Sequence, residues 1–460
     1  MRVRYVDVVA WTGWGGSAVN DAPKAPEGSR SAGTPSLADA VALFESRCPA
    51  FVEHPAEALG VIRSEAPVLW SDALNGLVLT RYDDVTAVLR DAETFSSVGT
   101  MTAHVSIAPE AVAILGEERS QLRNFLANVD SPRHERLRSA IAHAFTPRGV
   151  AGIEPRARDT ARRLASDLAG AIEREGAVDF IECFAARYPV DVVGAFIGVP
   201  VADRDDVPAW VGDWFRLYRF RLTTEEQIAC AQSVRIYGAY VNDLIEMHRR
   251  MPVGDEPTVI GTLVDGVTRG QIELSDDELA DLVANLIVGG IHTTSSALGA
   301  VMLRLLSTTG AWQQLVERPD LIGSAVEECL RLEGIAIGGA RVARHDVVLH
   351  GHPVAAGQMV RPVSRAADLD PAVFEDPLSY MPDRANVRRH LVFGHGPHVC
   401  IGAPLARLEL TCAIRVLTES LPGLALAASH RTEYLASPTH RQLARLLVSA
   451  PTTPPTISRS

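Results

Sequence analysis

The run FGHGPHVCIG, Phe393 to Gly402, sets one cysteine among three glycines, a proline and two histidines. A lone cysteine can be an inert buried thiol, a nucleophile or a metal ligand. After Cys400, apolar residues at 401, 405, 408, 412 and 416 share one helical face. The cysteine therefore stands at a helix N-terminus, where unpaired N–H groups and the helix dipole favour thiolate over thiol. Glycines at 394, 396 and 402 let the backbone turn sharply and approach a flat, bulky partner. His398 could serve a nucleophilic cysteine as base, but no third, orienting group is evident.

A second polar constellation, His292-Thr293-Thr294, lies inside the run LSDDELADLVANLIVGGIHTTSSALGAVMLRLL. Ser275 and Glu278 form a capping box and Leu274 can staple to Leu279, so a helix starts near Ser275. It continues for about 30 residues, roughly 45 Å, the width of a whole domain, and must cross the core. At its middle Gly289 and Gly290 lower helix propensity by about 1 kcal/mol each, beside polar groups at the most buried depth. Two readings are open. The glycines can serve a tight helix crossing, with hydroxyls bonded back to i−4 carbonyls, or the helix can open locally to line a cavity.

The chain that must position these groups has 460 residues, 47% of them hydrophobic, enough for a large core. A net charge of −12 argues against nucleic acid or an acidic membrane as partner. Six scattered cysteines with no CxxC pair suggest neither zinc nor disulfides and fit a reducing cytoplasm. No run of about 18 uncharged apolar residues occurs, so a protein with no membrane anchor is expected. Residues 1–36, rich in Gly, Ser, Pro and Ala, read as a mobile extension, and 37–460 as a single domain. Helical patterns dominate, for example Pro55 to Ser64 and Arg156 to Ile172. Short strands are expected at Pro67 to Trp70, Gly76 to Thr80, Val347 to Leu349 and Gln358 to Val363.

FGHGPHVCIGAPLARLE resembles the haem-binding loop of the cytochrome P-450 family, the haem-thiolate monooxygenases, in the pattern F-x-x-G-x-H-x-C-x-G. Three further stretches fall in that family's order. Glu328-Cys-Leu-Arg331 resembles its ExxR helix, with Arg384 of YMPDR as third partner; considered alone it would be a surface i,i+3 pair. GGIHTT looks like the segment A/G-G-x-D/E-T-T, where helix opening makes the oxygen pocket. DSPRHERLR, Asp130 to Arg138, is similar to the stretch whose His and Arg, here His134 and Arg138, grip haem propionates. Arg341 and His398 match the other two propionate-binding positions. The resemblance covers roughly residues 40 to 450 and implies a mostly α, α+β fold with a long central helix and small sheets near the N-terminal side.

By this resemblance Cys400 is the axial ligand of the iron of haem b, and an anionic sulfur pushes electron density that favours O–O cleavage. Phe393 and Gly402 would lie beside it. Gly289, Gly290, His292 and Thr293 would form the oxygen side, where the family places an acid beside the threonine to deliver protons. Here the acid position carries His292, as in the family's sterol demethylases; with an ordinary pKa near 6.5 it can relay protons at neutral pH. The expected activity is that of an oxidoreductase, hydroxylation or epoxidation of a small molecule in secondary metabolism. An atypical coupling, rearrangement or peroxide-driven oxidation, and a haem-binding protein without turnover, are the alternatives. Electrons from NAD(P)H would come through a separate ferredoxin and ferredoxin reductase, docked on a basic patch of Arg388, Arg389 and Arg407. Val98 to Asn124, Trp214 to Arg221 and Ile335 to Ile337 are expected around the substrate, although an amphipathic helix with snorkelling arginines explains the second without a ligand. Arg361-Pro362, where the family has an apolar strand, should reshape one wall or its edge pairing.

Overall fold

The computed structural model describes residues 34–46, 48–100, 106–116, 125–220, 222–251, 257–435, 437 and 440–450. The expected extension, residues 1–36, lies almost wholly outside them, and the first described helix is Leu37–Ser46. Of the expected pocket segment Val98 to Asn124, residues 101–105 and 117–124 also fall outside, as does Arg221.

Helices form wherever apolar residues recur every three or four positions. In Glu154–Glu175 the buried stripe is Ala157, Ala161, Leu164, Leu168 and Ile172, with a first turn opened by Pro155. The long helix is Asp276–Ser307, 32 residues, with Ser275 and Glu278 making both halves of the capping box. It packs against Arg187–Ile197, Val207–Arg219, Thr224–Arg250, Ile322–Glu333 and Ala403–Ser420. By length and composition it is the one described helix that could cross a bilayer, yet 72% of its apolar window is buried inside the protein, so this apolarity belongs to the core.

Two large apolar clusters meet along this helix. Leu279 to Ile291 belong to one, with Val211, Phe215 and Leu405. Ala297 to Leu305 belong to the other, with Leu410 and Leu417. The polar segment His292 to Ser296 falls at their junction, which is how four hydroxyls and an imidazole in sequence come to sit at mid-core.

The largest sheet has five strands in the spatial order Val68–Ser71, Gly76–Leu79, Met359–Pro362, Arg341–Ala343, Phe95–Ser96. The second and third are parallel and the remaining neighbours antiparallel. Both halves of the chain supply strands, so the sheets are not confined to the N-terminal side. Arg361-Pro362 closes an inner strand rather than an edge one. Proline is tolerated there because it is the last residue, where its carbonyl accepts from the Gly339 N–H at 3.1 Å and no N–H is required of it. A three-stranded sheet and two strand pairs complete the β structure among the described residues; one pair joins Glu433–Tyr434 to Leu443–Arg445.

Candidate functional site

Below Cys400 the chain is pinned by charges. Glu328 and Arg331, one helical turn apart in Ile322–Glu333, are both fully buried and bond in two places at 2.7 Å. Arg384 adds a third partner to Glu328 at 3.0 Å. Arg331 also donates to the carbonyls of Asp368 and Pro377 at 2.9 and 2.7 Å. A surface pair would contribute little, but here removing one partner would leave a buried charge uncompensated. The neighbouring Glu327, which no local pattern singles out, receives His390 at 2.8 Å and Arg407 at 2.6 Å. Burial alone would raise its pKa, but those hydrogen bonds bring it to about 2. Arg407 is thereby withdrawn from the expected docking patch: it is held by Glu327 and lies 4.5 Å over the Phe393 ring. Arg388 and Arg389 remain exposed.

Within the loop the Cys400 N–H donates to the Phe393 carbonyl at 2.7 Å. Gly394 and Gly396 have φ of +73° and +71°, which explains glycine at both. Gly396 does not make room for a flat partner, as the sequence suggested: a Cβ there would come 2.4 Å from the Leu89 carbonyl oxygen of the helix Tyr82–Arg90. Gly402 is the glycine beside the sulfur, its would-be Cβ 3.8 Å from Cys400 Sγ.

Protein closes round Cys400 on almost every side, yet the residue is exposed, opening on a recess rather than the outer surface. Desolvation raises its pKa; the N–H groups of Gly402 and Ala403 and the charges of Arg138 and Arg407 pull the other way without overcoming it. The helix terminus thus does not by itself make the thiolate expected from sequence.

Four nitrogen-bearing side chains gather beside the cysteine. His134 and Arg138 share a face of Arg133–Ala142, and the His134 and His398 rings lie 4.1 Å apart. Both ring nitrogens of His134 and Nδ1 of His398 are buried with no hydrogen-bond partner. Desolvation, then His134 and Arg341, take His398 down to about 4. Arg341 is 8% exposed and donates to the Ala340 carbonyl at 2.8 Å. Arg138, half-buried, makes no ion pair among the described residues, and burial lowers its pKa. Donors this deep without acceptors are costly, and a carboxylate-bearing group set among them would satisfy them. The residues fit a haem: its propionates would meet these side chains, and a single sulfur would suffice to hold its iron.

The same helix turns its other side to the long helix. Arg133 and Arg136 reach Glu278 at 3.1 and 2.6 Å, bringing Glu278 to about 2, mainly through the Arg136 hydrogen bond.

On the long helix the glycines divide their work. Gly289 is exposed and has nothing within 4 Å of a would-be Cβ, whereas a Cβ on Gly290 would strike Val193 Cγ1 at 2.7 Å. Each open reading therefore holds for one glycine: Gly290 serves a tight crossing and Gly289 borders open space. The helix itself is uninterrupted, not opened. Thr293 Oγ1 donates to the Gly289 carbonyl at 2.5 Å, and Ser296 Oγ to that of His292 at 2.9 Å. His292 is 7% exposed, and burial lowers its pKa to about 3, so it is neutral at pH 7. Asn285, overlooked in the sequence, stands one turn before Gly289 with Oδ1 buried and unpartnered; the spacing 285, 289, 293 was its only signal.

Of the other expected pocket residues, Ile337 packs in the core with Phe44 and Leu59. The arginines of Val207–Arg219 do not all snorkel: Arg219 is 4% exposed, and burial lowers its pKa to about 10.

The family model that matches, over residues 311–419, is described as cytochrome P450. The mycinamicin IV hydroxylase/epoxidase of Micromonospora griseorubida is 36% identical over 76% of this chain and 83% of its own length. The nocardicin C N-oxygenase of Nocardia uniformis subsp. tsuyamanensis is 33% identical over 81% of this chain and 89% of its own. Among solved structures, cytochrome P450 CREJ in complex with (4-ethylphenyl) dihydrogen phosphate superposes with a TM-score of 0.81 at 28% identity, covering 87% of this chain and 98% of that one. A fold of this kind, a buried ExxR network, a cysteine open to a recess rimmed by unsatisfied donors, and relatives of this identity and coverage lead to one assignment: the chain belongs to the cytochrome P450 family, oxidoreductases built around a haem-thiolate.

Proposed function

We propose that this enzyme inserts one atom of O2 into a small organic substrate, by hydroxylation or epoxidation, in the tailoring of a secondary metabolite. The observation that carries it is the meeting of an open Cys400 with Arg138, Arg341, His134 and His398, where both His134 ring nitrogens and His398 Nδ1 are buried without a partner and neither arginine has a carboxylate among the described residues. Haem b would answer both needs, with Cys400 holding the iron and His134, Arg138, Arg341 and His398 holding the propionates. When bound it supplies oxygen activation, which an anionic sulfur ligand favours. Phe393 holds the cysteine N–H by its carbonyl, and Gly402 keeps the space beside the sulfur clear. On the other side Gly289 leaves room, and the Thr293 hydroxyl, having spent its proton on the Gly289 carbonyl, offers lone pairs that can hold a water and orient its proton. Asn285 supplies an amide that can bond a polar group of the substrate. The names of the two bacterial relatives above, an epoxidising hydroxylase and an N-oxygenase, support this substrate class.

Electrons from NAD(P)H enter through a ferredoxin and its reductase, with exposed Arg388 and Arg389 supplying positive charge for an acidic partner, and the cytoplasm is the proposed location. The ferrous carbon monoxide complex tests the ligand: the parent should show the long-wavelength Soret band of an intact thiolate and Cys400→His should lose it. A variant that keeps the band overturns the assignment. Product formed per NADPH consumed, with a surrogate ferredoxin, should fall in Thr293→Ala; unchanged coupling sinks the role given to that hydroxyl.

A further inference from the structure

His292 occupies the position where an acid was expected, and its surroundings show a different employment. Its ring lies flat on the ring of Phe215, from the helix Val207–Arg219, with centroids 3.7 Å apart and planes inclined by 15°. Gln442, just before the strand Leu443–Arg445, lines the same small cavity as His292 and favours the protonated form of its ring. His440 meets the same Phe215 ring edge-on, at 5.8 Å and 85°. Ser437 donates to the Arg219 carbonyl at 3.3 Å. Two elements distant in sequence thus converge on one side chain of the long helix, in the turn bearing Gly289 and Thr293: the helix that ends at Arg219 and the C-terminal segment.

The residue type is informative. A phenylalanine at 292 would stack on Phe215 but offer the cavity shared with Gln442 no polar edge. An acid would offer a polar edge but not stack, and it would be a buried charge where no cation lines the cavity among the described residues. Beside the stack lies a cavity of about 40 Å³ bounded by Pro208, Val211, Gly212, Ser295 and Gln442, none of them charged. Only a neutral aromatic with a polar edge fills both roles, and burial keeps the imidazole neutral, its pKa lowered to about 3.

We propose that His292 is a positioning residue: its stack on Phe215, which His440 of the C-terminal segment meets edge-on, clamps the helix Val207–Arg219 and that segment to the Gly289–Thr293 turn, instead of relaying protons. A substrate pressing on that helix would then be felt at Thr293 through one side chain. The clamp rests on the function proposed above only in treating this turn as the oxygen side; the contacts stand without it.

Amide hydrogen exchange of residues 207–219 in the full-length haem-loaded protein tests it directly. Phe215→Leu and His292→Ala should raise exchange there about tenfold, the scale of a lost aromatic pair, while His292→Phe, which keeps the stack, should raise it less. The same two loosened variants should release 4-phenylimidazole, used as an iron-binding probe, faster than the parent. Should His292→Ala fail to fold, Phe215→Leu carries the test. Unchanged exchange and probe release in a folded Phe215→Leu overturns the clamp. So does a limb near neutral pH in the parent's NADPH oxidation that vanishes in His292→Phe, because it would show the imidazole titrating in turnover. Loss of the haem-thiolate reading would appear separately, in the carbon monoxide spectrum of the parent.

Discussion

The two walls of the site are built by opposite means. The cysteine wall is fixed by charged and hydrogen-bonded side chains: Glu328 with Arg331 and Arg384, all buried, and buried Glu327 with His390 and the partly exposed Arg407. The long-helix wall carries no Asp, Glu, Lys or Arg from Leu282 to Leu303. It is shaped by two glycines, back-bonded hydroxyls and a neutral ring stack. Ionic networks with every partner in place hold one geometry, as a single sulfur ligand requires. Van der Waals contacts and weak stacking can be re-cut residue by residue, as a wall that meets different substrates requires.

Removing the shared acid is the strongest way to break this contrast. Glu328→Gln would leave Arg331 and Arg384 buried without a counter-charge, and urea denaturation should show a loss of about 3–5 kcal/mol. A loss below about 1 kcal/mol would mean that the cysteine wall is not ion-fixed. On the other wall, Gly290→Ala should cost about 1–3 kcal/mol by overpacking against Val193, and the added change Val193→Ala should return most of it. Acidification probes the neutral stack. Because the folded His292 pKa, about 3, lies below the ordinary 6.5, its contribution is full above pH 6.5 and is lost as pH falls towards 3. The parent should therefore lose about 1 kcal/mol more than His292→Phe between pH 7 and pH 5.5; equal losses would show the ring already protonated or solvated. Smallest in stability, Gly289→Ala should leave the fold unchanged or gain up to about 1 kcal/mol from helix propensity, yet weaken carbon monoxide binding to the ferrous protein because the methyl enters the open space.

The same contrast decided what could be read in advance. The cysteine loop, Glu328 with Arg331, and the capping box of the long helix are set by spacings of a few residues, which a sequence displays. The partners that refine the site are far along the chain. Arg407 finds Glu327 across 80 residues, so it looked like a free surface charge. Gly396 meets Leu89, and Gly290 meets Val193, so neighbouring glycines with one expected role proved to have separate ones. His292 was read from its intrinsic pKa, whereas Phe215 and Gln442 set its environment. The inner position of Arg361-Pro362 followed from strand order, which no local pattern encodes.

The contact between Gly396 and Leu89 bears on how such a chain can be recombined. Arg90 Nε also donates to His395 at 2.6 Å, and the Tyr82 hydroxyl to the Arg389 carbonyl at 2.8 Å, so the cysteine loop and the segment leading into it are keyed at three points to a helix some three hundred positions earlier. A hybrid that grafts the C-terminal third from a relative would inherit a lock without its key. Crossover sites chosen for this protein should move Tyr82–Arg90 together with the loop, as one transplantable part.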